Sequence, residues 1–538
     1  MQCLRKGEPQ DGLQWTHNPY ALSLLFLFLF SILIFIKRSR KHRHGDISRS
    51  QPKHLPSPSP RLPLIGHLHL LTDMPHHTLA NLACQLGPIF HLQLGQVPTV
   101  VISSPKLARL VLKTHDRVFA NRPQLIAAQY LSFGCSDVTF SSYGPYWRQA
   151  RKICVTELLS PKRVGSFQLV REEEMARLLG VLRSLSGLEV DMSKVFFGLA
   201  NDVLCRVAFG KRFITESSEE GEKNHLVRVL TEAQDLLAGF SMGDFFPRWG
   251  WVNWVTGLER RLQNNLVSLR GVCDEIIGEH VKKRERRIMS IDADDDREDL
   301  LDVLMSIQQE DLEVPITDDN LKALVLIVIS TQDMFVAGTD TTAATLEWTM
   351  TELARNPRVM KKAQEEVRRN APTSDKLWER HLHELHYLKA VIKETMRLHP
   401  PVPLLVPRES MDRCMLDGYE VAARTRVLIN AYALGRDGES WNQPLEFRPE
   451  RFEGSNIDVK DQDFRFLPFG GGRRGCPGFA FGLITVETSL AKLLYHFNWA
   501  LPPGVKEDDM DLSEIFGLAT RKKMPLVLVP TVCQHQEF

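Results

Sequence analysis

One cysteine inside a glycine-rich loop constrains this chain more than any other feature. The stretch Phe469-Gly-Gly-Gly-Arg-Arg-Gly-Cys-Pro-Gly478 sets Cys476 beside two arginines and among glycines. Residues without a Cβ let backbone N–H groups approach a flat ring and a sulfur closely. Phe469 can shield the sulfur from water. Arg474, two residues before the cysteine, can neutralise a carboxylate of that ring through a charge-assisted hydrogen bond. The pattern reads as a loop that presents a thiolate to haem iron, where electron donation by sulfur favours O–O cleavage on the opposite face. The competing reading is a glycine-rich surface loop around a buried, inert cysteine.

Three constellations far apart in the chain bear on that choice. Ala337-Gly-Thr-Asp-Thr-Thr342 lies in a long apolar-periodic run, read as a helix crossing the core. Gly338 lets that helix lie against a bound diatomic, and Asp340 with Thr341 supplies an acid and a hydroxyl that can deliver protons to it. A helix-interior charge paired elsewhere, beside a threonine bonded back to its own helix, fits the same letters. Glu394-Thr-Met-Arg397 puts acid and base at i and i+3, on one helix face. Arg451, in Pro449-Glu-Arg-Phe452, is the candidate third member of a buried network with them, structural in role, that holds the loop carrying Cys476. Trp147 and Arg151 stand four apart on one helical face and can both reach a haem propionate. Arg148 and Lys152 take the next face, either as a basic patch for an acidic redox partner or as a solvated charge face.

On these residues the chain resembles the cytochrome P450 family, in particular membrane-bound plant enzymes of the A-type group. The resemblance covers nearly the whole length, from Pro56-Ser-Pro-Ser-Pro60 and Arg61-Leu-Pro-Leu-Ile-Gly66 through the Trp147, Gly338 and Glu394 segments to Arg451 and Cys476. It implies a mainly α fold with a small β-sheet subdomain (α+β). It implies haem b as cofactor, with iron bound by Cys476, and haem contacts from Trp147, Arg151, Gly338, Phe469 and Arg474. Within Pro400-Pro-Val-Pro-Leu-Leu-Val-Pro-Arg-Glu-Ser410, Arg408 would reach a propionate. The implied activity is a monooxygenase that inserts one oxygen atom of O2 into a lipophilic terpenoid, phenylpropanoid or alkaloid. Electrons would come from NADPH through cytochrome P450 reductase, with Asp340 and Thr341 relaying protons. Segments implied to face substrate are Leu131–Phe133, Phe240–Phe246, the residues before Gly338, Val402–Val406 and Ile515–Leu518, although apolar residues at such spacing also build plain core. Two other readings stay open: an O2-independent haem-thiolate isomerase or dehydratase, and a non-catalytic membrane haem protein. The Asp340–Thr341 pair favours the monooxygenase.

Length and charge agree. The chain has 538 residues, but the motifs of one site run from Trp147 to Cys476, so a single catalytic domain over 61–538 is expected. A formal net charge of +1 gives no argument for nucleic-acid binding. Nine scattered cysteines suggest neither a disulfide scaffold nor a zinc site, and suit a reducing compartment. Residues 21–36 are uncharged and apolar apart from Ser23 and Ser31, and Lys37-Arg-Ser-Arg-Lys-His-Arg-His44 follows. This reads as an uncleaved transmembrane anchor with its basic flank, and hence the catalytic domain, on the cytoplasmic side. Residues 1–20 become a short luminal tail and 37–60 a basic, proline-rich linker too polar to join the core. The resemblance places the anchor in the endoplasmic reticulum membrane.

One departure from the family pattern bears on activity. Ile327-Val-Ile-Ser-Thr-Gln332 stands inserted between Leu326 and Asp333. Six residues add about 9 Å of helix and roughly 600° of rotation, far from a whole number of turns. The roof of the pocket is where such a shift would be felt, while Gly338 to Thr342 keep their place relative to Cys476.

Overall fold

The computed structural model describes residues 53–212, 228–229, 232–233, 235–237, 241–289, 299–308, 335–372, 374, 378–459 and 463–533. The chain divides after Lys53, and the fold below is that of the unit from His54 to Phe538. The expected luminal tail and anchor, and the inserted segment 327–332, lie outside the described residues. Among those described, no helix is long and apolar enough to cross a membrane.

Alternating apolar residues fold Ile89–Leu94 (β1) and Val97–Ile102 (β2) into the antiparallel hairpin that the sequence predicts, with Ile89 opposite Ile102 and Leu94 opposite Val97. Arg408–Glu409 (β3) and Arg426–Ile429 (β4) complete a four-stranded sheet in the order β1-β2-β4-β3. The β2–β4 ladder is parallel and begins at Thr99 opposite Arg426. Pro98 lies just outside it, so its missing N–H costs no ladder bond. The proline-rich stretch is not held clear of the domain. Pro56 O accepts the His91 N–H of edge strand β1 at 2.7 Å, and Leu55 packs against the core beneath the sheet. The physical reason is that prolines lack a donor but keep their carbonyls, and an edge strand has N–H groups to satisfy.

Helices make up most of the remainder. Those that position the site are Pro75–Leu86 (α1), Pro145–Ile153 (α2), Met192–Phe209 (α3), Phe335–Arg355 (α4), Pro357–Arg369 (α5), His386–Leu398 (α6) and Phe479–His496 (α7). Helix α4 is the predicted core crossing. Its Trp348 is fully buried, donates its indole N–H to Thr520 O at 3.2 Å and stacks on His399 with ring centroids 4.0 Å apart. The first turn of α6 has orphan N–H groups like any helix start. The carboxylate of Glu366, from α5, accepts two of them, from Tyr387 at 2.7 Å and Leu388 at 2.8 Å.

The far end of α6 carries the predicted Glu-Arg-Arg network. Arg397 meets Glu394 with two parallel bonds of 2.8 Å, and Arg451 Nε donates to Glu394 Oε1 at 2.9 Å. The side chains of Glu394 and Arg397 are fully buried. The remaining guanidinium N–H groups reach backbone carbonyls: Arg397 donates to Gly435, Pro444 and Glu446, and Arg451 to Asn442, Gln443 and Glu446. Gly435 must be glycine, because a Cβ there would overlap the Arg397 carbonyl. One carboxylate thus fixes the whole segment 435–451. Trp441, Phe452 and Phe466 then pack in series toward the cysteine loop, at 5.7 and 5.2 Å between centroids.

Breaking a buried pair by neutralising one partner costs about 3–5 kcal/mol, whereas an exposed helical pair is worth about 0.3–0.5 kcal/mol. Glu394→Gln should therefore sharply lower the thermal midpoint and haem content. Glu365→Gln, which removes the partner of Lys361 on an exposed face of α5, should leave both within error of wild type in the same melting series.

Candidate active site

The cysteine loop is shaped by two left-handed glycines and one carboxylate. Gly470 and Gly472 have φ of 67° and 64°, a region that residues with a Cβ avoid. A Cβ on Gly472 would also overlap Leu112 O and the Asp116 carboxylate. Asp116 accepts the Arg473 backbone N–H at 3.0 Å, Arg473 Nη1 at 2.8 Å and Arg408 Nη1 at 3.1 Å. It therefore ties the loop to the sheet that carries Arg408. The Cys476 N–H donates to Phe469 O at 2.9 Å and closes the loop on itself. Helix α7 begins three residues later, so Cys476 stands ahead of a helix N-terminus, whose partial positive charge favours a thiolate.

Cys476 is exposed, whereas Cys135, Cys154, Cys205, Cys273 and Cys414 are buried. Burial pushes the Cys135 thiol up to about 12 and raises that of Cys205 as well, so both stay protonated and inert. The reading of Cys476 as a buried structural cysteine fails, because it opens into a cavity.

Four arginines line that cavity, Arg122, Arg151, Arg408 and Arg474, and among the described residues no Asp or Glu lines it with them. Each arginine is held through backbone carbonyls. Arg122 donates to Thr139, Val406 and Pro407, Arg151 to Gly475 at 2.6 Å, and Arg408 to Gly471 at 2.6 Å. Arg474 donates to Ala120 at 2.8 Å, Val138 at 3.0 Å and Ser141 at 2.5 Å. Burial pulls Arg408 below its ordinary value, and Asp116 opposes the shift. Trp147 also lines the cavity, but its indole N–H donates to Val138 O at 2.9 Å. Its ring lies 4.2 Å from the Arg474 guanidinium. Trp147 thus stands on the wall expected of it and also supports Arg474. Arg148 and Lys152, on the other face of α2, are exposed.

These residues fit haem. Its two propionates would answer the guanidinium groups that line the cavity, and Cys476 offers a soft thiolate to iron. Phe469, Leu405, Val406, Leu483 and Val486 give the walls an apolar surface for the macrocycle.

Thr341, Thr342 and Thr345 on α4 form a polar stripe on the same cavity. Asp340 does not line it. Its carboxylate is buried, Oδ1 has no hydrogen-bond partner among the described residues, and Arg521 Nη1 lies 3.9 Å away. Burial raises the carboxyl above its usual range, Arg521 pulls it down, and Asp235 adds to the rise. Gly338 is also off the lining, and a Cβ there would meet Leu204 of α3 at 3.4 Å. Its place here is a helix crossing. Of the segments expected to face substrate, Val402, Leu405 and Val406 do line the cavity. Leu131, Phe133, Phe245 and Phe246 are core, and Ile515 is exposed.

Sequence reasoning missed Asp116 and Arg122. Arg122 stands alone before Pro123 in an extended stretch, and Asp116 is one charge in the run His115-Asp-Arg117. Neither has a periodic partner, since their partners are backbone groups and loops far along the chain.

The sequence matches the family model described as Cytochrome P450 over residues 56–529. It is 56% identical to tryptamine 5-hydroxylase of Oryza sativa subsp. japonica over 500 residues, covering 91% of this chain and 93% of that protein. It is 45% identical to desmethyl-deoxy-podophyllotoxin synthase of Sinopodophyllum hexandrum, covering 89% and 92%, and 42% identical to costunolide synthase of Cichorium intybus, covering 90% and 94%. In three dimensions it is similar to a zebra fish cytochrome P450 solved with abiraterone, at TM-score 0.69 and 27% identity over 86% of this chain and 99% of that one.

Two outcomes follow from this geometry. Asp116→Asn weakens bonds to both Arg473 and Arg408, each charge-assisted bond being worth about 1.5–3 kcal/mol. The purified variant should lose haem on gel filtration faster than wild type although Cys476 is intact. For Asp340, a folded-state pKa above the unfolded value means that the folded chain holds its proton to higher pH. Stability therefore falls as pH rises from the ordinary carboxylate value through the folded one. Asp340→Asn should flatten that part of the pH dependence and melt no lower than wild type at neutral pH, as followed by circular dichroism across a pH series.

Proposed function

Because the chain belongs to the cytochrome P450 family of haem-thiolate monooxygenases, we propose that it inserts one oxygen atom of O2 into a small lipophilic plant specialised metabolite. Electrons come from NADPH through cytochrome P450 reductase. The observation that carries this reading is the exposed Cys476 thiol opening into a cavity walled by four arginines.

Cys476 would bind the iron, and Arg122, Arg151, Arg408 and Arg474 would hold the propionates. Haem held in this way supplies the oxygen-activating chemistry. The chain does the rest. Phe469 beside Cys476 keeps water from the sulfur, and the loop bond from Cys476 N–H to Phe469 O fixes where the sulfur stands. Thr341 offers a hydroxyl at the cavity wall. Asp340, next to it on α4, has a carboxyl that burial raises above its usual range, and is the proton store behind that hydroxyl. Val402, Leu405 and Val406 hold the apolar part of a substrate by desolvation.

Tryptamine is the first substrate to try, because the relative at 56% identity is named for its 5-hydroxylation, while desmethyl-deoxy-podophyllotoxin synthase and costunolide synthase stand at 45% and 42%. An isomerase or dehydratase would have no use for a buried acid behind a cavity-wall hydroxyl. The apolar run 21–36 with its basic flank supports a single-pass anchor in the endoplasmic reticulum membrane, with 61–538 as the cytoplasmic catalytic domain.

The test is turnover of tryptamine by the full chain with NADPH and a plant reductase under 18O2. One labelled oxygen per product is expected. In Thr341→Ala, NADPH use should persist while product falls by about 10²-fold, the scale of a lost proton donor. Product from other lipophilic metabolites but not from tryptamine would overturn tryptamine as the substrate. No NADPH-dependent product from any of them would overturn the reaction.

A further inference from the structure

Away from the arginine-walled cavity, two imidazoles from one end of the chain converge on one carboxylate oxygen from the other. His76 and His77 follow Pro75, the first residue of α1, and Glu514 comes from a two-residue strand, Glu514–Ile515 (β5), paired with Arg521–Lys522 (β6). His76 Nε2 lies 2.9 Å and His77 Nε2 3.2 Å from the same Glu514 Oε2. The three donor atoms lie within 4.8 Å of one another. Ligands about 2.0–2.1 Å from a tetrahedral zinc ion stand roughly 3.3 Å apart. Both nitrogens are therefore already near the spacing that such an ion demands.

We infer that His76, His77 and Glu514 form a binding site for a divalent transition cation of the zinc class, independent of the haem chemistry. Two imidazoles and a carboxylate are the ligand types that suit such an ion, and three protein ligands leave a position for water. Access comes from one side only. His76 is fully buried, whereas the His77 side chain is 41% exposed.

The surroundings hold the three groups in place. Asn430 Nδ2 donates to His76 O at 3.0 Å, and the Tyr432 ring packs against both imidazoles, at 5.0 and 4.6 Å between centroids. Glu514 Oε1 lies 4.0 Å from His399 Nδ1, and His399 Nε2 lies 2.7 Å from Glu352 Oε1. This imidazole and carboxylate form the kind of outer shell that orients a ligating group. Two features keep the affinity modest. Arg436 sits over Tyr432 at 3.6 Å and brings a positive charge nearby. His76 Nδ1 is buried without a hydrogen-bond partner among the described residues, so a proton there goes unanswered when Nε2 ligates. A bound ion would cross-link α1 to β5 across 438 residues of sequence, and so would stabilise the folded chain by mass action.

The experiment uses full-length, haem-loaded protein washed with chelator and dialysed against micromolar Zn2+, with metal per chain measured by emission spectroscopy. His77→Ala and Glu514→Gln are compared with His383→Ala, which removes an exposed histidine 3.8 Å from Glu384. An unchanged haem spectrum certifies the fold of each variant. Wild type and His383→Ala should hold one Zn2+ per chain more than His77→Ala and Glu514→Gln, and Zn2+ should raise only the thermal midpoints of the first two. Since losing an outer-shell partner alone weakens metal sites about 10–100-fold, losing a ligand should weaken binding by at least about 100-fold. Equal Zn2+ content in all four proteins, or no Zn2+-dependent rise in the wild-type midpoint, would overturn the site.

Discussion

Four guanidinium groups converge on one cavity with no carboxylate among its described lining residues, and the architecture around Cys476 depends on keeping that arrangement stable. Like charges at close range repel, and burying them costs more still. The fold answers with backbone carbonyls, which partner each arginine without cancelling its charge, and Asp116 pairs with Arg408 from outside the cavity. The residual positive charge is what a dianionic ring requires. Loops that carry these carbonyls, from Ala120, Val138, Val406, Gly471 and Gly475, are thereby drawn to the same place.

Two carboxylates outside the cavity set the geometry of the loop within it. Asp116 joins Arg408 to Arg473 and receives the loop's own backbone N–H. Glu394 fixes the segment before the loop through Arg397 and Arg451. A third, Asp340, is a liability to stability. It is buried with only a distant cation, and its raised pKa records the cost of ionising it there. In the reading proposed above, stability is given up at this group, one residue from a cavity-wall threonine, for proton chemistry.

Much of this was legible in the sequence, and the exceptions share a cause. The cysteine loop, the hairpin of β1 and β2, the core-crossing helix and the Glu394–Arg397–Arg451 network were visible because each has a local signal: glycine density, alternation, periodicity or an i, i+3 pair. Asp116 and Arg122 were not, since their work is done on backbone atoms of distant loops. Trp147 was placed on the right wall, but its bond to Val138 O was not foreseen, because nothing local says that this carbonyl lies beside it. Leu131, Phe133, Phe245 and Phe246 turned out to be core, as apolar spacing alone cannot tell a packed wall from a substrate wall. The proline-rich stretch after His54 looked like a free spacer, yet its carbonyls and Leu55 dock on β1 and the core beneath the sheet.

The measurement that bears most directly on the central claim is the reduced, carbon-monoxide difference spectrum of the full-length chain in microsomes, with residues 327–332 in place. A red-shifted Soret band, lost on Cys476→Ser, is the result expected of haem held by this thiolate between these arginines. A band at the shorter wavelength of haem without a thiolate ligand, or no band at all, would contradict it.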